Sequence, residues 1–262
     1  MKIVSSVVNN PDFIEIQYHT LKKYCKVDYD FIIFNDAKEF SDYTNYGDIT
    51  IKKQIENMCQ KLNIVCINIP NYNHRKEPCP AIRCADAMNY ILEYQKKNPD
   101  KYLLLDSDMF LIDELDVNKF SNYDCALLLQ IRNNLEYFWN GIYYFDITKM
   151  KDLELLNWDC TTECDVGGSM HNWLKKNKEF SPLYHIKHLN SCFWDINDLP
   201  KKLENNTKLI NFLKNDIRNE NGKFFCEIYD NVFLHYRAGG NWRNEGINIH
   251  KKLTKELKEA LL

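Results

Sequence analysis

The chain has 262 residues, 45% hydrophobic and 27% charged, with a formal net charge of −3 and a sequence pI near 6.2. That length suits one large α/β domain or two small ones, and the composition predicts an ordinary globular core. The acidic balance implies no nucleic-acid-binding face, which shows as a basic excess, and no apolar run approaches the roughly 18 residues of a membrane span.

Residues 1–20 lack the pattern of a secretory signal, so the expected location is cytoplasmic. "KIVSSVV" (2–8) predicts a short strand, and "NNPD" marks the turn into a helix over 13–25. "YDFIIFNDA" (29–37) predicts a second buried strand ending at Asn35-Asp36. Residues 50–62 carry Ile51, Ile55, Met58 and Leu62 at helical spacing. "NIVCINIP" (63–70) reads as a third strand, 71–80 as a polar loop, 81–97 as a helix and "KYLLLD" (101–106) as a fourth strand. Strands alternating with helices, and apolar along their whole length, predict a doubly wound, mainly parallel sheet flanked by helices.

The second half is less regular. "DCALLLQI" (124–131) and "NGIYYFDI" (140–147) read as a strand pair, "DVGGSMHNWLKK" (165–176) as a loop entering a helix, and "FFCEIYDNVFLHY" (224–236) as a late strand before "RAGGNW". The tail 249–262 is an amphipathic helix, either docked by its apolar positions or resting on a membrane surface. No linker divides the chain, so one domain is expected over 1–262, with a regular first half (1–115) and a less regular second half (116–262). The ten cysteines lack zinc-site spacing and read as reduced thiols.

Asp106 and Asp108 carry the strongest chemical signal. Ligands of an open parallel sheet bind beyond the carboxyl ends of its strands, where this pair sits. Residues i and i+2 of an extended chain point to one side, so the two carboxylates can meet there. They repel each other, and a hard divalent cation, Mn²⁺ or Mg²⁺, resolves that repulsion. With 21 aspartates a D-x-D triplet is expected by chance, and Asp28-Tyr29-Asp30 is one such; the apolar strand before 106 separates the two.

"YLLLDSDMFLIDEL" resembles the D-x-D segment of the GT-A fold of nucleotide-diphosphosugar glycosyltransferases. "NGIYYFDITKM" (140–150), "ECDVGGSMHNWL" (163–174) and "FLHYRAGGNW" (233–242) resemble successive later segments of the family that holds glycogenin and the bacterial lipopolysaccharide galactosyltransferases. Motif order and rough spacing match over 1–242. Two departures stand out: the last segment has two glycines and lacks the family's Lys-Pro pair, and the helix opening reads Asp-Val-Gly-Gly.

The resemblance implies a hexosyltransferase that moves a sugar from a nucleotide-diphosphate donor, UDP-linked, to a glycan or other hydroxyl acceptor. It leans towards retention of configuration. It implies His235 as third metal ligand beside Asp106 and Asp108. The nucleotide would lie over Val7, Val8, Asn9 and Asp36. Arg83 and Asp86, i and i+3 on one helix face, would form a charged pair near the donor, and Ser107 belongs to the same donor-binding set. Gly239 and Gly240 would let backbone amides approach the diphosphate. Asn140 is placed near sugar or acceptor. Asp165 would be general base in an inverting enzyme or hold donor hydroxyls in a retaining one, and Glu163 competes for both roles.

Ordinary readings stand beside these. Asp36 and Asp165 also suit turn or helix capping, His235 a satisfied core histidine, and Arg83 with Asp86 a surface pair. Arg237, Arg243 and the basic loop "HRKE" (74–77) are either diphosphate contacts or exposed charge. Trp139, Trp173, Trp194 and Trp242 either stack on sugar rings or fill the core. Two other classes remain open: a nucleotidyltransferase, which would carry a glycine-rich basic loop after the first strand, and a non-catalytic nucleotide-sugar-binding protein.

Overall fold

The structure is a computed structural model; it describes all residues except 75–78, 187, 191–192 and 243–245, and only the backbone of 188–190. The first half follows the sequence closely. Strands β1 (Lys2–Val7), β2 (Asp30–Asn35), β3 (Val65–Asn68) and β4 (Lys101–Leu105) alternate with helices α1 (Asp12–Tyr24), α2 (Ile51–Leu62) and α3 (Pro80–Lys97). Acidic residues open α1 and lysines close it, matching the helix dipole. Asn63 ends α2 in the left-handed conformation, and Pro80 opens α3, where a missing N–H costs nothing.

With β6 (Cys125–Arg132), β7 (Leu135–Asp146) and β8 (Leu183–His185), these strands form a seven-stranded sheet of order β3-β2-β1-β4-β7-β6-β8. It is mixed and mainly parallel: β7 is antiparallel to both β4 and β6, and the other neighbours are parallel. Both faces are covered. Ile3, Val7, Ile33 and Leu103 pack with Ile14 and Leu21 of α1 and Ile55 of α2. Val4, Ile32, Phe34 and Leu104 pack on the other face with Met88, Ile91 and Leu92 of α3. This two-sided burial is why the strands are apolar without alternation.

The second half adds a four-stranded antiparallel sheet, β5-β13-β12-β9, from Met109–Leu111, Phe233–His235, Glu227–Tyr229 and His188–Asn190. The predicted single strand over 224–236 is therefore corrected. A short strand β11 (Lys223–Phe224) pairs with β10 (Trp194–Asp195), and β12 and β13 form a hairpin. Asp230 and Asn231 turn that hairpin at φ of 49° and 58°, the left-handed pair a tight right-twisted hairpin needs. Helices α4 (His171–Asn177) and α5 (Thr207–Asn215) complete this half. The C-terminal helix Ile247–Leu261 buries Leu253, Leu257 and Leu261 against α5 and the second sheet, so its apolar stripe is spent in the core. Among the described residues no helix is long and apolar enough to cross a membrane, and nine cysteines are free thiols.

Candidate metal and nucleotide site

Residues 106–109 form a turn, not the extended segment predicted: the Met109 amide donates to the Asp106 carbonyl at 3.0 Å. The buried Gln17 of α1 pins this turn by donating to the carbonyls of Asp106 (2.7 Å) and Met109 (3.0 Å). The chain then re-enters a sheet as β5, which pairs with β13 in the register Met109↔His235. That register brings a histidine 127 positions downstream of Asp108 to the aspartates. Ligand atoms of Asp106, Asp108 and His235 lie within 4.8 Å of one another.

Two carboxylate oxygens and an imidazole nitrogen suit a first-row divalent ion, and the nitrogen favours Mn²⁺ over Mg²⁺. The electrostatics agree. Burial raises the Asp106 carboxyl and the Asp108 charge raises it further, to about 7. At Asp108 burial acts in the same direction, but His235 and the Gly239 amide outweigh it and hold the carboxyl below its ordinary range. At His235 burial favours the neutral ring; Asp108 and Glu227 reverse this and raise it to about 10. Groups perturbed in this way by burial and by one another cluster at functional sites.

Around His235 stand residues that carried no signal in the sequence. Glu227 Oε2 lies 3.1 Å from His235 Nδ1, and Asp108 Oδ1 lies 3.3 Å from Nε2. Tyr229 donates its hydroxyl to the same Glu227 oxygen at 2.7 Å. Burial alone would raise Glu227, but His235, Tyr229 and Arg237 bring it down to about 2. Trp139 stacks on Tyr229 and meets the His235 ring edge-on. The β12–β13 pairing sets Glu227 opposite His235 and Tyr229 opposite Phe233.

The cluster forms part of a cavity of about 390 Å³, within the range of small-molecule sites. Ser107, Val8, Asp36, Arg83, Asn140, Gly239 and Gly240 all line it. Asp36 accepts from Lys38 (3.0 Å) and lies 2.6 Å from His74 Nε2. Asn140 donates to the Cys84 thiol at 3.4 Å. The Gly239 amide donates to Asp108 Oδ2 at 2.8 Å. A Cβ at Gly239 would lie 2.5 Å from the Phe13 ring and 2.8 Å from Asp108 Cβ, so glycine is required by close approach.

Other expected residues lie elsewhere. Val7 points into the core with Ile3 and Ile14 and does not line the cavity. Asn9 is buried behind the lining, donating to the carbonyls of Thr44 and Gly240, both at 3.0 Å. The ion pair of Arg83 is with Asp42, with its guanidinium over Tyr43; Asp86 faces an adjoining groove with Asn73 and Tyr90. The loop 38–50 supplied the arginine's partner, and helical spacing could not reveal it. Glu163 and Asp165 are exposed and off the cavity lining. Asp165 accepts from the Val166 amide at the turn into α4, yet its charge is among those that add to burial in raising the Cys84 thiol. Trp173 and Trp194 are core residues, whereas Trp139 and Trp242 line the cavity. Arg237 binds the Phe225 carbonyl and Glu227. Arg243 and 75–77 of the basic loop lie outside the described residues.

Two donors at the cavity wall are unspent. Among the described residues, the buried Trp242 Nε1 and Arg83 Nε, on two residues that line the cavity, have no hydrogen-bond partner. Buried donors are nearly always satisfied, so both are suited to acceptors on a ligand.

No protein-family profile and no curated protein sequence matches the chain. Among solved structures, the chain is similar to the galactosyltransferase LgtC in complex with donor and acceptor sugar analogs, at 12% identity and a TM-score of 0.40, covering 74% of each chain. It is similar to the mannosyltransferase PcManGT from Pyrobaculum calidifontis in complex with GDP-Man and Mn²⁺, at 9% identity and a TM-score of 0.44, over 70% of this chain and 53% of that one. It is also similar to the CTP:phosphocholine cytidylyltransferase LicC from Streptococcus pneumoniae, at 14% identity and a TM-score of 0.38, over 71% of this chain and 90% of that one. These likenesses are in the course of the chain, and they span glycosyl and nucleotidyl transfer alike.

Proposed function

We propose that the chain is a metal-dependent glycosyltransferase that moves a sugar from a nucleotide-diphosphate donor, UDP-linked, to a hydroxyl acceptor. The observation that carries this is the convergence of Asp106, Asp108 and His235 in one cavity at the carboxyl ends of the parallel strands. These three residues would hold the cation, Mn²⁺ by donor chemistry. When bound, it supplies charge neutralisation for a diphosphate leaving group.

The protein's own groups do the rest. Val8 and Asp36, which directly follow β1 and β2 and line the cavity, would contact the nucleoside. The unspent N–H groups of Trp242 and Arg83 would donate to hydroxyl or phosphoryl oxygens. Asn140 would orient the donor sugar, with the half-buried Trp139 beside it. Transfer with retention is the reading we adopt. Among the described residues, the carboxylates lining the cavity are Asp36, Asp106 and Asp108, all engaged by cationic partners or assigned to the metal. That leaves Asp165 and Glu163 as outer groups to hold donor or acceptor hydroxyls.

Nucleotidyl transfer is less well supported. It calls for backbone amides and cations cradling a triphosphate after the first strand, and here Asn9, Asn10 and Pro11 lead directly into α1.

A panel of nucleotide sugars, assayed for Mn²⁺-dependent hydrolysis and transfer, tests the proposal. The expected result is release of nucleoside diphosphate from one or a few donors, abolished by Asp108→Asn and by chelator. No turnover of any nucleotide sugar, with pyrophosphate released from a nucleoside triphosphate and a sugar phosphate, would establish the other reading.

A further inference from the structure

Asp108 is addressed by an amide from an unusual piece of backbone. Arg237 and Ala238, directly before Gly239, both adopt left-handed conformations, at φ of 62° and 52°. Non-glycine residues rarely do so, and two in succession persist only where the surroundings impose them. The turn they make presents the Gly239 N–H to Asp108 Oδ2 at 2.8 Å, just after the Tyr236 amide donates to the Asp108 carbonyl at 2.9 Å. The side chain and backbone of this one aspartate are therefore both held by residues 236–239.

Behind the turn lies Arg218, with a side chain only 3% exposed. Its Nε and Nη2 donate to the two oxygens of Asp216, at 2.9 and 2.6 Å. Its remaining nitrogen, Nη1, donates to the Arg237 carbonyl at 3.0 Å. The guanidinium plane lies over the Tyr236 ring, 3.8 Å from its centroid, and over Phe225 at 4.5 Å. Asp216 and the two rings thus fix the guanidinium in place, and its free corner grips the peptide inside the left-handed turn. A lysine has the charge but not the fork: a single ammonium cannot keep both Asp216 oxygens and the carbonyl in this geometry.

We propose that Arg218 is a positioning residue for the metal site: by holding the Arg237 carbonyl it maintains the left-handed turn that delivers the Gly239 amide to Asp108. This rests on the reading of Asp106, Asp108 and His235 as a cation site. Arg218 touches none of the three; it acts through 237–239.

The test measures Mn²⁺ affinity by electron paramagnetic resonance, with no donor or acceptor present, alongside the metal-free melting temperature. Arg218→Lys is the conservative variant. Because it leaves Asp216 partly unpaired, a second variant, Asp216→Leu with Arg218→Met, removes the buried pair together, a change that proteins commonly tolerate. The expected result is Mn²⁺ affinity lower by about tenfold, as for loss of an outer-shell support. Adding Ala238→Gly, which adopts the left-handed conformation freely, should return the affinity to within about twofold of the wild type. Unchanged Mn²⁺ affinity in a folded Arg218 variant overturns the proposal, as does failure of Ala238→Gly to restore it. A wild-type protein that binds no Mn²⁺ overturns the metal-site reading itself, a result separate from either.

Discussion

Glu227 grips the far side of the His235 ring, 3.1 Å from Nδ1, while Asp108 lies 3.3 Å from Nε2 on the near side. A carboxylate behind a ligating imidazole fixes its tautomer and orientation and makes it a better ligand. Glu227→Gln is isosteric but uncharged. It should weaken Mn²⁺ binding by about 10- to 100-fold, read by calorimetric titration. Unaltered affinity would show that the His235 ring needs no support.

Metal binding should be proton-coupled, with a sign that follows from the cluster. In the metal-free protein, burial and Asp108 raise Asp106 to about 7, and Asp108 with Glu227 outweighs burial to raise His235 to about 10. Below pH 7 both groups hold protons that a cation must displace; between 7 and 10 His235 alone does. The logarithm of Mn²⁺ affinity should therefore rise with pH, with a slope of about two below pH 7 and about one above it. Calorimetry in buffers of different ionisation enthalpy counts the protons released. An affinity independent of pH from 6 to 8 contradicts this.

The two glycines of "RAGG" should respond differently to alanine. At Gly239 a Cβ meets Phe13 at 2.5 Å and Asp108 Cβ at 2.8 Å, and neither is a flexible chain end. Gly239→Ala should cost about 1–3 kcal/mol of stability and displace the amide from Asp108. At Gly240 the nearest atom is Val8 Cγ1 at 3.3 Å, which a small shift relieves. Thermal melts and Mn²⁺ titrations of the two variants compare them directly, and equal behaviour would remove the close-approach argument.

Trp242→Phe keeps an aromatic ring at the cavity wall and removes the unpartnered N–H. Nucleoside diphosphate binding should weaken by about fivefold, the loss of one modest hydrogen bond. Metal-free stability should hold or improve, because a buried unsatisfied donor is gone. Undiminished nucleotide affinity would place Trp242 among the packing residues.

The first half of the fold was legible because its signals are local. "FIIF" and "YLLL" are apolar throughout, and a parallel strand covered on both faces needs that. The second half hid its sheet in short strands: Phe110 and Leu111 looked like the tail of the D-x-D run, and Asp230-Asn231 sat unrecognised as a hairpin turn inside "EIYDNVF". Asp106 and Asp108 could be placed at a strand end, but the turn that joins them depends on Gln17 from another element. Helix spacing put Arg83 and Asp86 on one face, and only the family resemblance set Arg83 near the donor; its partner Asp42 comes from a loop with no pattern of its own. Glu227, Arg218 and Gln17 act through contacts between segments far apart in sequence, which composition and periodicity do not encode.

The most direct test of the central claim is calorimetric titration of the protein with UDP-sugars, in Mn²⁺ and again in chelator, for the wild type and Asp108→Asn. The account predicts binding of at least one donor in Mn²⁺, lost on chelation and lost in the variant. Equal donor binding under all of these conditions, or no binding of any nucleotide sugar in Mn²⁺, contradicts it.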